Sequence, residues 1–117
     1  LEASSAASDV YKRQSFNWWT QDYKEGDIHN EHHHNVGQIS GVYYVRANES
    51  AGGIMFRNPN PFVEYGHTMR DNAPYSWQEY VYQPVKGRIL MFPSYLKHTV
   101  LPSGKDCIRT VIAFNVK

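Results

Sequence analysis

From Phe16 onward, apolar residues either alternate with polar ones or stand in short runs, and Gly, Pro, Asn and Asp break the runs apart. Residues 38–45, Gln-Ile-Ser-Gly-Val-Tyr-Tyr-Val, are rich in the β-branched and aromatic side chains that suit a pleated, half-buried surface. Residues 79–83 alternate Tyr and Val, and residues 88–92 follow the Lys86-Gly87 turn and stop at Pro93. Residues 16–23, 53–57, 98–101 and 108–116 complete the set. About seven strands in roughly 100 residues is the count expected of a sandwich or small barrel. No segment carries the helical spacing of apolar positions over a normal helix length, and no internal repeat is present. The core is expected to include Trp18, Trp19, Phe92 and Phe114, with Cys107 a small buried hydrophobe and Lys86 and Lys97 solvated.

Two segments stand apart from this pattern. Residues 58–77 carry Pro59, Pro61, Gly66 and Pro74 without a clean period, and a connection this long is expected to be a lid, a binding loop or disordered. Residues 1–14 open with small polar residues that fit neither a strand nor a signal peptide. They resemble translated sequencing-adapter read-through in a metagenomic gene, so the expected domain is residues 15–117, with the true N-terminus missing.

Composition narrows the function classes. The formal net charge of +1 gives no electrostatic footprint for nucleic acid and no polybasic membrane patch. No apolar run approaches the roughly 18 residues of a membrane span. The single cysteine excludes an internal disulfide and fits a reducing, cytoplasmic setting.

The strongest chemical signal is residues 26–34, Gly-Asp-Ile-His-Asn-Glu-His-His-His. In an extended segment, residues two apart point the same way, so His32 and His34 can converge on one metal while His33 points away. His98, at the start of a strand after a Phe-Pro-Ser-Tyr turn, is the best third ligand, and imidazole suits Fe, Zn, Cu and Ni. Another register is open: His29 and Glu31 with His98 would form the two-His, one-carboxylate set of non-haem iron oxygenases. So is a solvated His-rich turn that binds nothing.

Arg109 bears on the choice. If the segments around residues 98 and 109 form a symmetric hairpin, its centre falls between Ser103 and Gly104, and His98 and Arg109 face each other across neighbouring strands. Arg109 alternates in phase with Val111, Ala113 and Asn115. Facing inward, its charge needs an anion, for which a bidentate carboxylate is the natural partner. Facing outward, it would pair with Asp106. Tyr44 shares a face with Val42 and Ser40, and its hydroxyl, if buried, wants a partner that a ligand carboxylate could supply.

In order along the chain, five blocks carry a resemblance: Gly-Asp-x-His-x-x-His-x-His at 26–34, Ile-Ser-Gly-Val-Tyr-Tyr-Val at 39–45, Gly-Ile-Met-Phe-Arg-Asn-Pro at 53–59, the run from Pro84 through Phe92-Pro93-Ser94-Tyr95-Leu96 to His98, and Arg109 to Asn115. Together they resemble the 2-oxoglutarate- and Fe(II)-dependent oxygenase family common in marine phages and bacteria. The resemblance implies an all-β double-stranded β-helix, or cupin-like jelly roll, with Fe(II) held by His32, His34 and His98. It implies 2-oxoglutarate as a small-molecule co-substrate, anchored at its distal carboxylate by Arg109 and Tyr44, with Ser40 counted beside them. Hydroxylase-type turnover of an unknown substrate to give succinate and CO2 would follow. Two departures stand out: the wider superfamily carries Asp or Glu where this chain has His34, and the family's Ser two places after the Arg is Val111 here. The alternatives are a cupin-like three-His metalloenzyme that does not use 2-oxoglutarate, and a non-catalytic jelly-roll binding module.

Overall fold

The computed structural model describes residues 16–34, 38–60 and 77–117. Eight strands are present among them: β1 (Phe16–Tyr23), β2 (His29–His32), β3 (Ile39–Ala47), β4 (Ile54–Arg57), β5 (Glu79–Tyr82), β6 (Ile89–Pro93), β7 (His98–Val100) and β8 (Arg109–Val116). They form two four-stranded antiparallel sheets, ordered β1-β8-β3-β6 and β2-β7-β4-β5. This is the all-β jelly roll that the resemblance implies. The expected lid at 58–77 falls mostly outside the described residues, as does the 1–14 tail. Its base is pinned, with the Asn58 amide nitrogen donating to the Trp77 carbonyl at 2.7 Å and the Asn58 backbone N–H to Gln78 at 2.8 Å.

The expected hairpin of residues 98–109 is overturned. β7 and β8 are not a hairpin: β7 lies between β2 and β4 in one sheet, and β8 between β1 and β3 in the other. The connector crosses between sheets because its polar groups are bound elsewhere. Ser103 accepts from Gly26 through its carbonyl at 2.9 Å, Gly104 donates to Ser50 at 2.7 Å, and Leu101 donates to Gly53 at 2.9 Å. β2 was absent from the expected strands, since His, Asn and Glu give no strand signal. Pairing with β7 makes it one.

The side-chain period of two sets the interior. Along β8, Arg109, Val111 and Asn115 are buried, and along β3 so are Ser40, Val42 and Tyr44. Val42, Tyr44 and Val111 form one apolar cluster, with Tyr23 and Leu90 against it, and Ile54, Phe56 and Phe92 form another in the facing sheet and β6. Gly41 permits a close approach, since a methyl group there would overlap the Phe114 ring. Phe92 is core as expected. Trp18 is not, at 60% exposed on the outer face of the edge strand β1, and Trp19, on the opposite face of that strand, is exposed too. Phe114 and Cys107 are only half-buried, while Lys86 and Lys97 are exposed as expected.

Candidate metal and carboxylate site

The His-rich segment owes its geometry to a bulge. In the β2–β7 ladder His32 sits opposite His98 and His29 opposite Val100, so three steps on β2 match two on β7. The extra residue turns His29 to the same side as His32, and their rings stack at 4.0 Å and 23°. Glu31 is left on the other side, where it accepts from Arg57 at 2.7 Å. The structure therefore does not bring Glu31 to His98. Past β2, the backbone N–H of His34 donates to the Ser94 carbonyl at 2.9 Å, which fixes His34 beside the turn that leads to His98.

The result is a cluster of imidazoles. Ring centroids are 4.1 Å apart for His32 and His98, 5.2 Å for His32 and His34, and 5.3 Å for His34 and His98. One nitrogen from each lies within 4.8 Å of the others. Two nitrogens on one ion can be at most about 4.2 Å apart, so an ion would draw this set slightly inward. Tautomers favour ligation. Nδ1 of His98 donates to the Leu96 carbonyl at 2.9 Å and Nδ1 of His32 to the Asn30 carbonyl at 2.6 Å, which leaves both Nε2 lone pairs free. His98 is only 4% exposed, packed against Phe56 and Phe92, and burial pushes its pKa down to about 4. Burial and the neighbouring His32 lower His34 as well. Both shifts favour the neutral ring, the form in which a His binds metal. The donor set fits Fe(II) among other imidazole-binding metals.

Arg109 is the other pole. It is 3% exposed, and its Nε and Nη1 are buried without a hydrogen-bond partner. Its guanidinium carbon sits 3.9 Å over the Tyr23 ring and 5.5 Å from the Tyr44 ring. Asp106, the expected partner of an outward Arg109, makes no ion pair with it among the described residues. Tyr44 is fully buried and its hydroxyl is also unpartnered. Burial raises the Tyr44 pKa, and the nearby Arg109 guanidinium draws it back. Burying a charged group with open donors is costly, and structures that do so normally supply an anion.

His32, His34, His98 and Arg109 line one hollow between the sheets. Its walls are mainly apolar, including Val42, Ile54, Val100 and Val111, and among the described residues no Asp or Glu lines it. His98 and Arg109 thus share an interior, reached from opposite sheets and not from adjacent strands. Ser40 borders the hollow, but its hydroxyl is taken, donating to Asn115 Oδ1 at 2.6 Å and lying 3.0 Å from the Ser94 hydroxyl. Tyr23, the platform under Arg109, escaped the sequence reading. Its signal was the inward face of residues 17, 19, 21 and 23, visible only once Tyr23 is known to pair with Arg109.

Among solved structures, the fold resembles a prolyl-4-hydroxylase from Pseudomonas putida (TM-score 0.60, 21% identity, covering 86% of this chain and 50% of that one). It also resembles an oxidoreductase of the 2OG-Fe(II) oxygenase family from Burkholderia pseudomallei (TM-score 0.63, 12% identity, 90% and 46% covered). A cupin domain from Bordetella pertussis aligns with TM-score 0.50 at 13% identity, covering 89% and 81%. At these identities the likeness establishes the fold, and the chain spans about half the length of the two oxygenases. No curated protein matches the chain. Residues 17–115 match the family described as "Putative 2OG-Fe(II) oxygenase", and with nearly the whole domain inside that match the chain belongs to this 2OG-Fe(II) oxygenase family.

Proposed function

We propose that the chain carries the catalytic centre of an Fe(II)- and 2-oxoglutarate-dependent dioxygenase of hydroxylase type. The observation that carries this reading is one hollow with three imidazoles at one pole and a buried guanidinium lacking its anion at the other. His32, His34 and His98 would hold the metal, two of them oriented by backbone carbonyls. Arg109 would receive the distal carboxylate of 2-oxoglutarate, its plane steadied by Tyr23, and the Tyr44 hydroxyl would donate to the same carboxylate. The apolar walls exclude water from the reacting end. Bound Fe(II) supplies O2 activation, with oxidative decarboxylation of 2-oxoglutarate to succinate and CO2 coupled to oxidation of a primary substrate.

A second reading draws on His34 standing where the wider superfamily has a carboxylate: a three-His cupin-type enzyme that does not use 2-oxoglutarate. It leaves the buried Arg109 without a purpose. The deciding experiment is anaerobic titration of the folded protein with Fe(II) and 2-oxoglutarate. A metal-to-ligand charge-transfer band is expected, followed by succinate formation when O2 is admitted. A folded protein that shows neither would end the proposal.

A further inference from the structure

The inner face of β8 reads Arg109, Val111, Ala113, Asn115. Six residues of strand span roughly 20 Å. The face is polar at both ends and apolar between, and Arg109 accounts for only one end. Asn115 is 8% exposed. Its side-chain oxygen accepts the Ser40 hydroxyl at 2.6 Å, and Ser40 is held in turn by Ser94 at 3.0 Å, both serines being 2% exposed. Its side-chain nitrogen makes no hydrogen bond to any described residue. That nitrogen is also absent from the fully enclosed unpartnered atoms, and Asn115 lines the hollow, so the NH2 group faces the open space. An amide with one end latched and the other unspent resembles Arg109 in kind: a donor set out for a ligand that brings the acceptor.

Its position identifies which end of the ligand. The Ser94 that steadies Ser40 also accepts the His34 backbone N–H at 2.9 Å, so one turn places both a metal-binding candidate and the latch on Asn115. Asn115 therefore lies at the imidazole pole. A dicarboxylate whose distal end is on Arg109 has its other carboxylate at that pole.

We propose that Asn115, latched by Ser40 and Ser94, donates through Nδ2 to the metal-side carboxylate of bound 2-oxoglutarate, with Ser40 acting as a positioning residue and not as a ligand contact. This rests on the oxygenase reading above. Ser40 thereby moves from the expected co-substrate contacts to their support.

The test compares wild type, Asn115→Ala, Asn115→Asp and Arg109→Met, each loaded with Fe(II) without O2. It reads the 2-oxoglutarate Kd and the position of the charge-transfer band. Asn115→Ala should weaken binding roughly tenfold or more, as for a hydrogen bond to a charged group, and should displace the band. Asn115→Asp should weaken it further, since it sets an anion against an anion. Arg109→Met should weaken binding and leave the band in place, because it acts at the far end. A wild-type Kd and band in Asn115→Ala, or tight binding by Asn115→Asp, overturns the proposal. If Asn115→Ala does not fold, Ser40→Ala unlatches the amide without removing it. It should weaken binding several-fold and broaden or shift the band, and wild-type behaviour there overturns the proposal equally. A wild-type protein with no band at all would instead sink the oxygenase reading.

Discussion

Replacing Arg109 with Met separates a ligand anchor from a structural arginine. A structural arginine is destabilising to remove. Here the ligand-free protein carries Nε and Nη1 buried and unpartnered. Each such donor costs about 1–3 kcal/mol, so relieving two should stabilise by roughly 2–6 kcal/mol. Against this stands the loss of the stacking over Tyr23 at 3.9 Å, about 1–2 kcal/mol when desolvated. Met preserves the length of the aliphatic stem and so avoids most of a cavity penalty. The net is a ligand-free variant at least as stable as wild type, with a Tm unchanged or raised by several degrees at about 4–8 °C per kcal/mol. Saturating 2-oxoglutarate should reverse the order. At 100 times Kd a ligand stabilises by about 2.7 kcal/mol, which raises the wild-type Tm by about 10 °C or more. At the same concentration the variant, binding more weakly, should respond far less. Thermal melts with Ni(II) in place of Fe(II), to prevent turnover, read both effects. A variant that melts well below wild type without ligand, or gains as much stability from 2-oxoglutarate as wild type does, would refute the reasoning.

Metal-free protein should lose stability in mild acid. The folded His98 pKa is held near 4 by burial against an ordinary 6.5, so its contribution is complete above about pH 6.5 and is lost progressively down to about pH 4. That loss is about 3 kcal/mol, and the lowered His34 and His29 steepen it; urea titrations from pH 4 to 8 that gave a flat profile would contradict it. Metal and 2-oxoglutarate should each tighten the other by about 5- to 150-fold, reciprocally, as calorimetry can measure. His34→Asp, which places an anion at the metal, should shrink that coupling. Gly52→Ala should destabilise by about 1–3 kcal/mol because its methyl would meet the Leu101 carbonyl, whereas Gly41→Ala should cost less because the Phe114 ring can swing aside; equal melting temperatures would count against this.

Where side chains alternate, the sequence was a sound guide. The period of two in residues 109–115 and 40–44 grouped the residues that share a face, without saying which face turns inward, and the His-x-His spacing marked a convergent pair. What failed depended on partners that spacing cannot show. The symmetric turn between residues 98 and 109 has the arithmetic of a hairpin, but Ser103 and Gly104 bind other loops, and the chain changes sheet. Two registers of the His run stayed open until the bulge in β2 put His29 with His32 and sent Glu31 to Arg57. Trp18 and Trp19 look like core by type, yet both are exposed, on opposite faces of an edge strand.

The charge of the hollow joins these features. Among the described residues no carboxylate lines it, and burial holds the pKa of His98 and His34 down, which favours their uncharged form. A divalent ion there would keep its full charge, a short distance from a buried guanidinium. In a low-dielectric interior two such cations repel strongly. A ligand with one carboxylate could satisfy only one pole. A dicarboxylate neutralises both and places its anionic ends where the protein offers donors. On the proposed reading, a His at position 34 where the wider superfamily has a carboxylate would not argue against a dianionic co-substrate. It would make the protein depend on one, because the negative charge that the described lining lacks would arrive with the ligand.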